Sequence, residues 1–108
     1  MKNFEEHKQR TKILMRYVIE NQICFLSDNE PKIDIKWMNE EIGEQRTVHP
    51  LLEAYEGWID YLDGEWAKDY INSNSGYYYV CYWFSNKIAM AKFRLMYGGL
   101  LGKDIFNY

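Results

Sequence analysis

A chain of 108 residues, 27% charged and 47% hydrophobic, has room for one domain spanning residues 1–108 and excludes both a disordered segment and a pair of ordinary domains. Folding buries roughly 65% of the surface of an unfolded chain this long, so a core needs neither metal nor disulfide. The net charge of −3 is unevenly held: from Asp28 to Tyr70 twelve carboxylates face four bases, while the two ends together hold nine bases and four acids.

The first segment, Phe4 to about Asn21, predicts an amphipathic helix. Phe4, His7, Leu14, Tyr17 and Val18 lean to one side, while Lys8, Lys12 and Arg16 recur every four residues on another. Glu5 and Glu20 bracket that basic row, as on a solvated, salt-bridged face. Next, "ICFL" (Ile23–Leu26) is a short apolar strand candidate, and "SDNEP" (Ser27–Pro31) is a turn. In "KIDIKWM", Ile33, Ile35 and Trp37 alternate with Asp34 and Lys36, the pattern of a half-buried strand that pairs with Ile23–Leu26 as a hairpin. "NEEIGEQRT" reads as a loop.

Pro50 suits the first position of a helix, where its missing N–H costs nothing. Leu51, Tyr55, Trp58, Leu62 and Trp66 follow at three- and four-residue spacing, with Leu52 and Ile59 beside them, so this helix turns one apolar stripe inward. Its other side carries Glu53, Glu56, Asp60 and Asp63, whose like charges repel; Asp63-Gly64 allows a break or a turn there instead.

"NSNSG" (Asn72–Gly76) is a loop. Tyr77 to Phe84 then places eight aromatic or apolar residues in a row, Tyr77, Tyr79, Cys81 and Trp83 on one face and Tyr78, Val80, Tyr82 and Phe84 on the other. A strand apolar on both faces belongs in the middle of a sheet, covered on each side by the chain itself or, on one side, by a partner or a second copy. Ser85 or Asn86 caps a helix running to about Tyr97, with Ala89, Phe93 and Met96 as its buried row, and Gly98-Gly99 stops it through a left-handed cap. "LLGKDIFNY" adds at most an edge strand. The order predicts an α+β domain, a small, mostly antiparallel sheet packed by three helices.

Cys24 and Cys81 stand alone, without a C-x-x-C partner. Their isolation argues against a zinc knuckle or a disulfide-stapled secreted fold and for two small buried apolar groups in a reducing compartment. The N-terminus lacks the apolar centre of a signal peptide, and the longest apolar run is too short to span a bilayer, so a soluble protein without a membrane partner is expected.

The strand, cap and helix of Tyr77–Gly99, closed by Phe93, Arg94, Leu95, Gly98 and Gly99, resemble a segment of small bacteriophage proteins in which an aromatic strand leads into a helix ending in Phe-Lys/Arg-Leu and Gly-Gly. The resemblance covers about a fifth of the chain. It implies a phage-type accessory protein in the cytoplasm of a bacterial host, of the kind that binds and redirects or inhibits host machinery, and it carries no catalytic residues with it.

Enzymatic chemistry has one candidate. Asp34-Ile35-Lys36 matches the D-x-K half of a restriction-type nuclease core, in which the acid helps hold a divalent metal and the lysine supports the attacking water. The plain alternative is a solvated strand face with opposite charges. His49 and Glu53 stand four apart, but His49 precedes Pro50 at or before the helix start, and a structural metal needs about four ligands. His7 is expected to pack against its helix's apolar side. No nucleophile setting or glycine-rich phosphate loop is present in the sequence, so no metal or cofactor is expected.

Lys8, Lys12 and Arg16, with abundant tyrosines for stacking, raise nucleic-acid binding, but one basic row against an acidic middle gives too small a phosphate-binding face. The favoured reading is a non-catalytic interaction protein. Glu53, Glu56, Asp60 and Asp63, interleaved with the anchors Trp58, Tyr61, Trp66 and Tyr70, would present an acidic, aromatic surface that mimics a phosphate backbone. Its partner would be a host protein with a basic surface, inhibited in an anti-restriction or anti-CRISPR manner. The ordinary alternative is that these carboxylates merely keep a helix soluble. Behind the mimic stand the Asp34/Lys36 nuclease and an oligomeric structural subunit, a homodimer included.

Overall fold

A computed structural model of the chain describes residues 4–46, 65–72 and 76–106. In chain order its elements are helix α1 (Phe4–Glu20), strand β1 (Gln22–Leu26), helix α2 (Ile35–Glu41), strands β2 (Trp66–Asn72) and β3 (Tyr78–Phe84), helix α3 (Lys87–Tyr97), strand β4 (Leu100–Leu101) and the single-turn helix α4 (Gly102–Ile105). The strands pair antiparallel in the order β2-β3-β1-β4, which makes this the expected α+β fold, with four helices among the described residues in place of the three anticipated.

The anticipated strand at Ile33–Trp37 is instead the start of a helix. Asp34 takes the N-cap position in extended backbone, and its carboxylate accepts the Trp37 backbone N–H at 3.2 Å. The helix brings the fully buried Met38 into the core with Trp37 half-buried beside it, Ile33 packs there from just before the cap, and Ile35 is left exposed. Strict alternation would have required all three on one side. β1 consequently has no hairpin partner there, and it lies between β3 and β4, paired from Gln22↔Trp83 to Leu26↔Tyr79 and from Ile23↔Leu101 to Cys24↔Leu100.

The proposed Pro50 helix falls in 47–64, outside the described residues, but Trp66, read as its last apolar position, opens β2. β3 occupies the predicted middle position. On one face Val80, Tyr82 and Phe84 join Ile23, Phe25 and Trp66 beneath Met38 of α2 and Ala89 and Phe93 of α3. On the other, Trp83 and Ala67 pack under Met15 and Val18 of α1, with Cys24 and Cys81 buried on the same side. The chain therefore covers both faces of β3 over Val80–Phe84, and Tyr77 and Tyr78 project beyond the cover. Gln22, the cross-strand partner of Trp83, is 1% exposed, and its amide and the Trp83 indole N–H have no hydrogen-bond partner among the described residues.

Along α1, Lys8, Lys12 and Arg16 are exposed as predicted; the side chains of Phe4, His7 and Leu14 lie outside the described residues. At α3 the Asn86 side chain accepts the Ala89 N–H at 2.8 Å, and Ala89 and Phe93 are buried. Met96 is not: it is 54% exposed, and Tyr97, four residues beyond Phe93, takes the inner place. Gly98 and Gly99 follow at φ +79° and +102° and end the helix as the sequence predicts, but Gly98, with ψ −142°, is extended at positive φ and not in the left-handed cap conformation. β4 is the expected edge strand.

Candidate functional site

The charged and aromatic groups gather where β2 and β3 run out from under α3. Their register sets Lys68 opposite Tyr82, Tyr70 opposite Val80 and Asn72 opposite Tyr78, all on the face that α2 and α3 cover only in part. Glu30, just after the one-turn 3-10 helix Ser27–Asn29, reaches over this face. The Tyr82 hydroxyl donates to Glu30 Oε1 at 2.6 Å, and Lys68 Nζ stands 2.9 Å from the same oxygen. Lys68 Nζ also lies 5.5 Å from the centroid of the Tyr70 ring and 5.7 Å from that of Tyr82, within cation–π range.

Burial pushes the Glu30 carboxyl up, but the hydrogen bonds from Tyr82 and Lys68 and the lysine's charge outweigh it and leave the group below its ordinary value of 4.5. Burial likewise draws Lys68 down, and the hydrogen bond and charge of Glu30 more than reverse this, so the ammonium is held above 10.5. Tyr82 is pushed well above 10.0, first by burial and then by its bond to Glu30. A carboxyl with a depressed folded value stabilises the fold at pH above its ordinary 4.5 and loses that contribution as pH falls through the folded value. Lys68 and Tyr82, both raised, contribute fully below about pH 10 and lose it as pH climbs through their folded values. Glu30→Gln is expected to cost about 1–2 kcal/mol at neutral pH and to flatten the acid side of the stability profile. Thermal melts between pH 3 and 8 measure both effects, and parallel profiles for variant and parent would show that the network contributes nothing.

Further out, Tyr70, Tyr77 and Tyr78 are 59%, 59% and 60% exposed. Tyr77 and Tyr78 line a cleft of about 400 Å³ with Leu26, Asp28 and Asn29. Large aromatic rings held open to water beside an acid and an amide are suited to contact with another molecule, because they offer wide apolar area with few torsions to immobilise.

Of the eight residues proposed for a partner surface, Tyr70 lies in this group. Trp66 does not: it is fully buried, and its indole N–H donates to the Gly43 carbonyl at 2.8 Å, which makes it a core residue. Glu53, Glu56, Trp58, Asp60, Tyr61 and Asp63 lie outside the described residues, as does His49. Other acids of the central third are met locally: Glu30 by Lys68, Glu40 by Lys36 at 4.0 Å and Glu41 by Lys92 at 3.7 Å, while Glu65 accepts the Ser85 hydroxyl. Asp34 and Lys36 stand at the start of α2 and not on a strand. The Asp34 carboxylate caps the helix, and its backbone N–H donates to the Tyr97 hydroxyl at 3.0 Å. The strand context that the D-x-K reading needs is thus missing at these two residues.

Tyr77, Tyr78, Glu30 and Lys68 were not singled out by sequence reasoning. The period-two run Trp66, Lys68, Tyr70 marks Lys68 once β2 is recognised as a strand, since it sets a lysine between aromatics on one face, but nothing local marks Glu30. No family model, curated protein or solved structure matches the chain. No helix among the described residues is long and apolar enough to cross a membrane.

Proposed function

We propose that the chain is a non-catalytic interaction protein of phage type that binds and inhibits a host nucleic-acid-handling or defence protein by presenting an acidic, aromatic surface in place of a phosphate backbone. The observation that carries this reading is the exposure of Tyr70, Tyr77 and Tyr78, each more than half open to solvent, with Tyr77 and Tyr78 lining the Asp28 cleft. Exposed tyrosines of this kind act as binding anchors, and the acidic excess from Asp28 to Tyr70 would draw a basic partner from a distance. Glu53, Glu56, Asp60 and Asp63, with Trp58 and Tyr61, complete the proposed surface; Trp66 is no part of it.

Affinity capture from a bacterial lysate at low and high salt tests the reading, using the parent chain, a Tyr70→Ala/Tyr78→Ala variant and a variant with Glu53, Glu56, Asp60 and Asp63 changed to their amides. A discrete host protein should be retained at low salt and released at high salt, and each variant should weaken binding about tenfold or more. Retention indifferent to salt and to both variants would overturn the proposal. So would magnesium-dependent cleavage of plasmid DNA that is lost in Asp34→Ala, which would instead support a nuclease.

A further inference from the structure

The two cysteines are far apart in sequence, and the fold brings them face to face. The β1–β3 register makes Cys24 and Cys81 direct cross-strand partners, and their Sγ atoms are 2.9 Å apart. Directly opposed residues in an antiparallel ladder have Cα atoms about 4.5 or 5.5 Å apart, and a disulfide spans about 4.4–6.8 Å, so this backbone can hold the bond without rearrangement. The sulfurs need to approach by less than about 1 Å to reach the roughly 2.05 Å of an S–S bond.

Both thiols are fully buried, so the closed fold shields them from reagents. The hydrogen bond it shares with Cys24, and then burial, push the Cys81 thiol far above its ordinary 9.0, so it carries almost no thiolate while enclosed. Their cover is thin on one side. Cys24 lies beside Leu100 of β4, a two-residue edge strand with Leu100 itself 49% exposed, and local opening of so short an element costs much less than global unfolding.

We propose that Cys24 and Cys81 form a reversible dithiol–disulfide site, oxidised by low-molecular-weight disulfides of the glutathione class to a bond that ties the two central strands together. When β4 opens, one cysteine loses its proton to solvent and attacks the reagent disulfide, forming a mixed disulfide and releasing one reagent thiol. The second cysteine, deprotonated in turn, attacks the protein-side sulfur of that mixed disulfide, forms the Cys24–Cys81 bond and expels the second reagent thiol. Two cysteine thiols are oxidised, and one reagent disulfide is reduced to two thiols. Because the bond closes a loop of more than fifty residues, it restricts the unfolded chain far more than the folded one.

The test incubates the folded 108-residue chain with oxidised glutathione and follows intact mass under denaturing, acid-quenched conditions. The expected product has lost two hydrogens, carries no glutathione, reverts with dithiothreitol and melts about 10 °C or more above the reduced form. Its rate of formation should level off at high glutathione disulfide, where opening becomes limiting. Cys24→Ser and Cys81→Ser should each stop at an unreacted chain or a mixed disulfide. A parent chain that remains reduced over a day, accumulates a stable glutathione adduct, or links only between molecules would overturn the proposal. The parent measurement decides this even where a serine variant fails to fold.

Discussion

Replacing Phe93 by alanine is expected to remove about 3–5 kcal/mol of stability, a large part of the roughly 5–15 kcal/mol that holds a domain of this size together. Phe93 is fully buried, and its ring centroid lies 5.0 Å from those of Tyr82 and Phe84, 5.1 Å from Tyr97 and 6.1 Å from Phe25. It thus joins α3 to both central strands. Because three of these neighbours are rings on hydrogen-bonded strands, they have little freedom to collapse into the space that truncation leaves, and the cavity cost is added to the lost burial. Urea unfolding followed by circular dichroism measures the change as a fall in midpoint at constant slope. Phe93→Leu, which keeps most of the volume, should lose less than half as much. A loss below about 1 kcal/mol for the alanine variant would mean that α3 is not anchored through this ring.

The second large effect is expected at the glycine stop. Gly99 has φ +102°, and a Cβ there would collide with the Ile23 side chain and approach the Phe25 ring to 3.0 Å. Backbone strain in that region costs about 1–3 kcal/mol, and forcing volume against a packed strand costs a similar amount, so Gly99→Ala should destabilise by about 2–5 kcal/mol. Gly98→Ala separates the two causes. Its φ of +79° and ψ of −142° impose backbone strain, but a Cβ there meets nothing within 4 Å, so a loss of about 1–3 kcal/mol is expected, smaller than at Gly99. Equal losses at both positions in thermal melts would show that the contact with β1 contributes nothing, and that only backbone conformation matters.

Where one local signal dominated, the sequence was a reliable guide to this fold. The unbroken apolar run Tyr77–Phe84 points to a central strand, and the fold covers both its faces over Val80–Phe84, while Asn86 with Gly98-Gly99 marks both ends of α3. Two signals competed at Ile33–Trp37. Alternation suggested a strand, yet the same residues also carry an N-cap aspartate three positions before Trp37, and the cap prevailed because it lets Met38 reach the core. At Trp66 a helical spacing continues by coincidence into a strand, and the inward place that spacing gives it, not the anchor role suggested by the neighbouring carboxylates, matches its burial. Its burial is tertiary, decided by the Gly43 carbonyl and the ring of Tyr82, both remote in sequence. The same limit hid the Glu30–Lys68–Tyr82 cluster and the facing cysteines, since each depends on a strand register that no local pattern specifies. Exposed Tyr70 is legible as an aromatic beside the acidic run, whereas Tyr77 and Tyr78 become distinct from the rest of their strand only once the reach of the covering helices is known.

The strand order β2-β3-β1-β4 has a consequence for how the chain matures. β1 finds both its neighbours, β3 and β4, only after residue 77, and β2 pairs with β3 as well. A nascent polypeptide that has emerged only as far as Asn72 therefore has two of these strands and no ladder between them. Sheet assembly waits for residues 78–101: β2 and β3 pair locally, and joining β3 to β1 across more than fifty residues is a non-local closure of the kind that slows folding. Until that moment Ile23, Phe25 and Trp66 have no sheet to enter, and their apolar surface stays open to non-native contacts.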